Sequence, residues 1–544
     1  MSVRRFIRLS CLFFIAAMLV AAIPARAFCG FYAGKADASL FNQASQVVVA
    51  RDGNRTVLSM LNDYSGPLSD FVLVVPTPVV LKQGQVRIAE KAVFEHLDAY
   101  SSPRLAEYYD SNPCALDFSW GQPPPVVYRM MAPAAAMDMA KPTAMARDKA
   151  LGVTVEARYT LEEYDIVSLS AKQSDGLEIW LRENGYKIPK GASEALRPYI
   201  NQGMKFFVAK VNLKEQLKTG YSTLRPLQFA FESEKFMLPM RLGMLNAAPG
   251  KPQDLIVYLM TKNGRVESSN YRTAKLPANV NLPDFIKPKF QDFYKAMFDN
   301  STRTDDYRTV FTEYFWNMGW CDPCAAQPLS REELLRAGVF WLDGDAGQNF
   351  SAMQNSGQVV LPPINRMGGM PVMLTRLHLR YTPRTFPEDL MFTQTSDTQN
   401  WQARYVIQNP YGGSVSECTE RVNAMNCETM CGDRVPDLLS RIENNNWGLE
   451  SYRNKSRTEL KNECMASCRE SKDRGLEAAV RYYTRDLPQR IAGEKQTLAQ
   501  LTGWSLHDID AMPGAQRYGI IDAEKESGAV AENQTWWQKL FSHR

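Results

Sequence analysis

The sequence predicts an α+β fold. Antiparallel, β-rich N-terminal and central domains with packed helices are followed by a disulfide-linked helical hairpin region. Short runs rich in Val and Leu, bounded by Gly, Pro and Asn, recur through most of the chain and are typical of strands. Beyond Ser414 the pattern becomes mostly helical. Two Cys-x3-Cys pairs lie there, and this spacing places both sulfurs of a pair on one helix face.

Residues 1–27 are predicted to be a secretory signal peptide. A basic start, a short apolar core and the exit Ala25-Arg26-Ala27 favour cleavage that leaves Phe28 first. The start and core are Arg4, Arg5, Arg8 and Cys11–Ile23. Because Phe28 is large, a lipoprotein site at Cys29 is disfavoured. No later run is apolar for long enough to span a membrane. We therefore expect a soluble protein in the periplasm or outside the cell, with no transmembrane anchor after signal removal.

The first mature domain is predicted over residues 28–121. Asp52-Gly53-Asn54 separates two β-type runs and indicates a hairpin. Ser101-Ser102-Pro103 is typical of a helix start, because Pro fits the first turn, and a second helix is expected from there to about Tyr109. The strands are predicted at Gln46–Arg51, Thr56–Tyr64 and Asp70–Pro76, and the preceding helix at Ile88–Tyr100.

Residues 122–149 are predicted to be a linker, because prolines, alanines and methionines follow one another there without a sustained period. A copper(I) thioether site is the alternative, since soft sulfur suits that ion. No His or Cys lies nearby, so we favour the linker and expect no metal and no cofactor. The five methionines are Met130, Met131, Met137, Met139 and Met145.

A central α+β domain is predicted over residues 150–282, with a largely antiparallel sheet. Its strands are expected at Val153–Tyr159, Asp165–Ser170, Lys205–Val211, Leu227–Glu232, Met237–Leu242 and Asp254–Met260, and its helices at Ser174–Asn184 and Ala192–Asn201. A third domain, 283–413, contains Trp320-Cys321-Asp322-Pro323-Cys324 and the half-exposed strand Thr375–Tyr381. The helical twin Cys-x3-Cys region, 414–492, and a tail, 493–544, complete the chain.

Nine cysteines remain after signal removal, and the two Cys-x3-Cys pairs lie on either side of an asparagine turn. Two antiparallel helices would form Cys431–Cys464 inside and Cys427–Cys468 outside. Gly432 and Pro436 interrupt the first helix, so a three-helix variant is equally open. A zinc cluster is the other reading, but after export disulfides are favoured over metal.

The other cysteines admit fewer choices. Cys321 and Cys324 are expected to bridge each other or to react. Cys29 is then expected to bridge Cys114, which leaves Cys418 over. An odd thiol in an exported protein is either buried or bound to another chain.

Trp320-Cys321-Asp322-Pro323-Cys324 carries the thioredoxin signature. A β-type run, Val310–Trp316, precedes it, and a run typical of a helix, Ser330–Ala337, follows it. In that chemistry Cys321 would attack as a thiolate and Cys324 would resolve the mixed disulfide. Asp322 opposes this, because a neighbouring negative charge raises a thiol pKa. A structural disulfide is therefore favoured over a redox pair.

Other functional classes have weaker support. His96 lies among apolar helix residues, and His378 lies between Arg376 and Arg380 on what is expected to be a solvated sheet face. Glu388-Asp389 is expected to be an acidic surface turn rather than a cation site. The predicted signal carries four basic and no acidic residues, so the mature chain is neutral although the whole chain carries +4. Without clustered positive charge, nucleic acid is not expected as a partner.

Several segments together resemble one bacterial exported family, catalogued as domain of unknown function 2330. The resemblance covers about residues 28–413 and implies export from a bacterial cell; it implies no activity and no catalytic residues. The segments are Phe28-Cys29-Gly30-Phe31, Pro103–Tyr108 leading to Cys114, Tyr164-Asp165-Ile166, Asn184-Gly185-Tyr186, Leu238–Leu242, Cys321–Cys324, Thr375–Tyr381, Phe386–Leu390 and Gln402–Tyr405.

The sequence thus predicts an exported envelope or secreted protein with a noncatalytic binding or structural role. Its partner would be an unidentified protein or envelope component. The alternative is a periplasmic thiol–disulfide oxidoreductase that uses Cys321 and Cys324.

Overall fold

A computed structural model describes residues 31–34, 44–62, 71–115, 120, 153–183, 191–218, 224–246, 252–319, 327–343, 371–444 and 449–516. The predicted signal, the predicted linker and the segment Trp320–Cys324 lie outside the described residues. The chain divides into two compact units, each assembled from three separate stretches. Unit 1 comprises Met1–Pro103, Lys141–Leu276 and Ser301–Ala403, and unit 2 comprises Arg104–Ala140, Pro277–Asn300 and Arg404–Arg544.

The strands of the described residues are, in chain order, β1 (Phe31–Gly34), β2 (Ala44–Asp52), β3 (Arg55–Asn62), β4 (Phe71–Thr77), β5 (Val86–Ile88), β6 (Arg104–Tyr109), β7 (Val153–Leu161), β8 (Tyr164–Ala171), β9 (Lys205–Val211), β10 (Leu227–Glu232), β11 (Met237–Leu238), β12 (Gln253–Thr261), β13 (Val266–Ser268), β14 (Arg272–Lys275), β15 (Val280–Leu282), β16 (Thr309–Asn317), β17 (Met373–Tyr381), β18 (Leu390–Gln394), β19 (Trp401–Gln402) and β20 (Arg404–Asn409).

The α-helices of the same residues are α1 (Lys91–Ser101), α2 (Ser174–Glu183), α3 (Ala192–Asn201), α4 (Leu213–Lys218), α5 (Phe290–Thr304), α6 (Arg331–Arg336), α7 (Val415–Ala424), α8 (Cys427–Glu443), α9 (Arg457–Arg481), α10 (Leu487–Thr502) and α11 (Leu506–Asp510). A π-helical turn, Tyr482–Asp486, joins α9 to α10. None of the helices described is both long enough and apolar enough to cross a membrane.

Unit 1 is built around a nine-stranded sheet of order β14-β16-β17-β12-β2-β3-β10-β5, with β19 beside β16, within the described residues. Most neighbours are antiparallel, whereas β12 runs parallel to β2 and β14 runs parallel to β16. The predicted hairpin at Asp52-Gly53-Asn54 is confirmed between β2 and β3, and Gly53 adopts a φ of 56° there. The predicted domains 28–121, 150–282 and 283–413 all contribute strands to this sheet, so their cores are not separate.

A second sheet, of order β1-β4-β9-β8-β7 among the residues described, packs on the first. Alternate side chains of both sheets meet in one apolar core that includes Val47, Val257, Val75, Ile166 and Phe207. The opposite face of the second sheet is covered by α2 and α3. The opposite face of the nine-stranded sheet is covered by α1, α6 and the chain that follows α6. Unit 1 therefore has four layers in the order helix, sheet, sheet, helix, and the predicted α+β class is confirmed.

Unit 2 contains a small parallel sheet, β15-β20-β6, within its described residues. The prediction of a helix from Ser101 to Tyr109 was wrong. Residues Arg104–Tyr109 pair in register with Arg404–Asn409 instead. Pairing with one distant strand thus outweighs a local helix signal, because strand pairing depends on neighbours that local sequence does not show.

The disulfide-linked helical hairpin is confirmed in unit 2. Cys431 bonds to Cys464 and Cys427 bonds to Cys468, each with a Cα–Cα distance of 5.8 Å. The helix α8 runs unbroken through Pro436, so the three-helix variant was wrong. Asn426 caps α8 by accepting hydrogen bonds from the backbone N–H groups of residues 428 and 429.

A third bridge corrects the predicted pairing of Cys29 with Cys114. Cys114 bonds to Cys418, across a Cα–Cα distance of 5.4 Å and a sequence separation of 304 residues. Both cysteines are buried together with Ala479, Tyr483 and Leu487. Cys418 is therefore not a spare thiol, and Cys29 lies outside the described residues.

Candidate functional site

A cleft of about 350 Å³ opens on the helix-covered face of the nine-stranded sheet. Its walls come from β3, β5 and β10 on the sheet side and from α6 and the following residues on the other. We call it the arginine cleft, because three arginines line it. They are Arg55, Arg87 and Arg336, and the other charged lining residues are Glu332 and Asp343.

Arg55 is an arginine of the cleft whose charge is unpaired within the described residues. Its side chain is exposed, and its guanidinium carbon lies 4.3 Å from the centroid of the Phe340 ring. Stacking on an aromatic face orients the guanidinium and leaves its in-plane N–H donors unblocked. Within the described residues those donors form no hydrogen bond and no ion pair.

Arg87 is held by the protein itself. Its Nη2 donates to the backbone oxygens of Leu335 and Arg336 at 3.2 and 3.4 Å, and its Nε donates to the Gln228 side chain. Gln228 in turn donates to Ser59 Oγ at 2.6 Å and to the Arg336 oxygen at 3.0 Å. These bonds attach the end of α6 to the sheet and give the cleft a rigid floor.

Arg336 is compensated by acids, in contrast to Arg55. It forms ion pairs with Glu90, at 2.9 Å, and with Glu332. These pairs are exposed, so they contribute little to stability. Among the residues that the structure describes, Arg55 and Arg87 are therefore the cleft cations without a carboxylate partner.

The backbone of Gly338 approaches the sheet closely behind the cleft. Its φ is 102°, and a Cβ there would lie 2.4 Å from Val57 Cγ1. Only glycine combines this conformation with this contact. The position lets the chain turn after α6 and brings Phe340 under Arg55.

A buried charged network lies on the same face of the sheet, beneath α1. Glu313 is fully buried on β16, and the strand has a bulge between Thr312 and Tyr314 that places the Glu313 carboxylate toward β17. The Glu313 oxygens lie 2.5 Å from Arg376 Nε and 2.6 Å from His378 Nδ1.

Asp98 of α1 completes the network. Its carboxylate lies 2.6 Å from Arg376 Nη1 and accepts a hydrogen bond from Tyr258 at 3.1 Å. Burial would raise the pKa of Asp98, but the charge and hydrogen bond of Arg376 outweigh it and hold that pKa below its usual value. Burial raises the pKa of Tyr258 well above its usual value. The network therefore anchors α1 to the sheet by charge.

The predicted solvated face around His378 was wrong. Arg376 is 4% exposed and His378 is 7% exposed. Arg376 contacts Asp98 of α1, and His378 contacts the buried Glu313. Arg380 alone reaches the margin, where it forms two hydrogen bonds to Asp254 at 2.6 and 2.7 Å. The strand alternates as predicted, but the face that was predicted to be solvated packs against a helix.

His96 joins α1 to α6. Its Nδ1 lies 2.8 Å from Glu333 and its Nε2 lies 2.7 Å from the Gln327 oxygen. Partial burial would lower the pKa of His96, but these two hydrogen bonds outweigh it and raise that pKa; the same contact lowers the pKa of Glu333 to about 2. His96 thus packs partly buried between the two helices, and the expectation that it is not catalytic stays a prediction.

Glu388 and Asp389 have different environments. Glu388 is exposed, whereas Asp389 is 4% exposed and accepts hydrogen bonds from Tyr199 at 2.6 Å and from the Met240 backbone at 2.8 Å. The expected acidic surface turn therefore holds for Glu388 only. Across the part of the chain that the structure describes, no group of three His, Cys, Asp or Glu side chains is placed to hold a metal ion.

The sequence reading missed the arginine cleft. Its arginines come from positions 55, 87 and 336, and no local pattern connects them. The cysteines Cys321 and Cys324 lie outside the described residues, and their role stays a prediction. The strand before them and the helix after them are confirmed as β16 and α6.

The chain carries the features of one bacterial protein family. The model of the family described as an uncharacterized protein conserved in bacteria, domain of unknown function 2330, matches residues 23–393. This stretch is more than half of the chain, so the chain belongs to that family. No curated protein and no solved structure matches the chain.

Proposed function

We propose that this protein is an exported, noncatalytic binding protein whose arginine cleft takes a small anionic ligand. The observation that carries the proposal is the state of Arg55. A guanidinium that is oriented by Phe340 and has no ion pair among the described residues is prepared to meet a carboxylate or phosphate oxygen.

The dimensions of the cleft favour a small molecule. Its volume of about 350 Å³ lies in the range typical of small-ligand sites. The positive charge is local, since the whole chain carries only +4, and an extended polyanion would need a longer basic surface. Glu332 and Asp343 at the margin would repel a second anionic group. The cleft therefore fits one anionic head group at a time.

Two observations support the proposed export, the disulfides and the N-terminal sequence. Three buried disulfides persist in an oxidising environment and are rare in the cytosol. Residues 1–27 have the basic start, the apolar core and the small-residue exit of a secretory signal. N-terminal sequencing of the protein from its native host is expected to begin at Phe28. Recovery from the cytosol with Met1 in place would contradict export.

Calorimetry tests binding directly, with inorganic phosphate and glutarate as separate probes. We expect at least one probe to bind the full chain in the millimolar range or tighter, and to bind less tightly as salt rises. Arg55→Ala should weaken that binding by at least about tenfold.

The matched control is Arg384→Ala. Arg384 is an exposed arginine outside the cleft that forms no hydrogen bond or ion pair with the described residues. It should bind like the wild type. Far-ultraviolet circular dichroism checks that both variants are folded. Equal affinity of Arg55→Ala and wild type, or no binding of either probe, would reject the anionic cleft.

A further inference from the structure

The outermost strand of the five-stranded sheet, β7, is unusual for an edge. It has nine residues, Val153–Leu161, whereas the other edge strands of the described sheets have two to six. Natural proteins keep open edges short, because unpaired N–H and C=O groups invite another strand. In the described residues, β7 pairs with β8 on one side only.

The side chains of β7 are also open to solvent. Val155 is 44% exposed, and Glu156, Arg158 and Thr160 are exposed. Arg158 forms no ion pair or hydrogen bond within the described part of the chain. An exposed β-branched residue on a long edge favours pairing with another chain, and charged side chains on that edge restrict the pairing to a partner with complementary charges.

The sequence of β7 is self-complementary about Ala157. Outward from Ala157, Glu156 faces Arg158 in the reversed copy, and Thr154 faces Thr160. At the remaining positions Val155 faces Tyr159, and Val153 faces Leu161. Opposite charges, Thr–Thr pairs and aromatic–aliphatic pairs are the cross-strand pairs that stabilise antiparallel strands.

A bulge at Glu156 shifts this register by one residue and replaces the Thr–Thr pairs, but it leaves Glu156 and Arg158 close to each other. On β8, Val155 pairs with Leu169 and Ala157 pairs with Ser168, so Glu156 is the extra residue. In a pair of such strands Arg158 would lie opposite Val155 of the second copy, beside its bulged Glu156, Tyr159 would lie opposite Thr154, and Thr160 would lie opposite Val153. Aromatic and β-branched pairs of this kind also stabilise antiparallel strands. The two Glu156–Arg158 contacts are kept.

We infer that two copies of this chain associate through β7, antiparallel, about a two-fold axis at Ala157. The five-stranded sheet of each copy then continues into the other. Such an interface is isologous: each copy uses its β7 edge once, so the assembly closes as a dimer instead of growing. A second copy is favoured over an unrelated partner, because an unrelated partner would not require β7 to complement itself. The inference does not depend on the proposed ligand.

A charge-exchange experiment tests the dimer. Light scattering after size-exclusion chromatography is expected to give a dimer for the full wild-type chain. Arg158→Glu alone and Glu156→Arg alone should each be monomeric, because both contacts become repulsive. An equimolar mixture of the two variants should form a heterodimer, and the double variant E156R/R158E should dimerise again. The dissociation constant of each single variant should rise by at least about tenfold.

Two further measurements keep the inference falsifiable. Arg384→Glu makes the same charge change on an exposed loop and should remain a dimer. Hydrogen–deuterium exchange of residues 153–161 should slow as protein concentration rises. A monomeric wild type at high micromolar concentration, single variants that still dimerise, failure of the mixture to associate, or protection confined to another segment would each overturn the inference.

Discussion

Glu494 is a carboxylic acid buried on α10, and no residue that the structure describes forms a hydrogen bond with its side chain. Its side chain is 5% exposed, and Arg490 Nε lies 3.6 Å away. Arg490 is itself committed to Asp110, which accepts from both of its Nη atoms at 2.9 and 2.8 Å. Burial therefore dominates and raises the pKa of Glu494 from 4.5 to about 7, although Arg490 opposes the change.

The raised pKa predicts that this group stabilises the fold in acid and not in base. The folded state keeps the proton between pH 4.5, the usual pKa, and about pH 7, so its contribution is full below the lower value and is lost as pH rises through the upper one. The loss amounts to about 3 kcal/mol. Urea unfolding at pH 5 and pH 8 should show Glu494→Gln losing less stability than wild type over this interval. Parallel losses in the two proteins would contradict the assignment.

Gly338 offers a second test at the residue scale. Gly338→Ala requires a left-handed φ for alanine and a Cβ within 2.4 Å of Val57, which should destabilise unit 1 by at least about 2 kcal/mol. Gly432→Ala is the matched control, because Gly432 lies inside α8 with nothing within 4 Å of a new Cβ. It should be neutral or stabilise the protein slightly. Equal midpoints of thermal unfolding for the two variants would count against the close approach at Gly338.

At the scale of elements, the hairpin of α8 and α9 shows what local spacing can predict. Four cysteines at helical spacing on either side of a turn leave one antiparallel pairing, and Cys431–Cys464 with Cys427–Cys468 is what forms. The strand β6 shows the reverse. Pro103 is consistent with either a helix start or a strand entry, and only β20, about three hundred residues later, decides the outcome.

The hairpin should lose stability when its inner bridge is removed. The bridge spans 33 residues of sequence and lies inside the loop that Cys427–Cys468 already closes. The chain-entropy relation therefore predicts a reduced cost of about 2 kcal/mol for replacing both Cys431 and Cys464 by Ser. Denaturant unfolding under non-reducing conditions measures it. The Cys427–Cys468 bridge remains in this variant and checks that the helices still meet. A change below about 1 kcal/mol would mean that packing alone holds the helices.

The apolar strands show why the candidate site was only partly predictable. β16 was recognised as a strand from its aromatic and β-branched residues, yet its role depends on Glu313, one acid in a buried run. Nothing near Glu313 in sequence indicates that its partners lie on β17 and α1. The arginine cleft is harder still to predict from the sequence, because Arg55 differs from other exposed arginines by its contact with the Phe340 ring.

For the molecule as a whole, a further prediction concerns the redox activity of Cys321 and Cys324. Asp322 between them disfavours a low thiol pKa. We therefore expect the purified full chain to reduce insulin no faster than its Cys321→Ser variant, in the presence of dithiothreitol. Turnover by wild type that the variant lacks would establish the oxidoreductase alternative instead.

The order of strands in the nine-stranded sheet has a consequence for synthesis. Its central strand β12 pairs residues 254–260 with residues 44–50 on one side, and with β17 on the other. A growing polypeptide therefore cannot complete the pairing of β12 until Tyr381 has been made. Such sequence-distant contacts make folding slow. A truncated product that stops before β17 would present a bare, apolar β12 to its neighbours, and we expect it to aggregate, whereas the whole chain buries that strand on both sides.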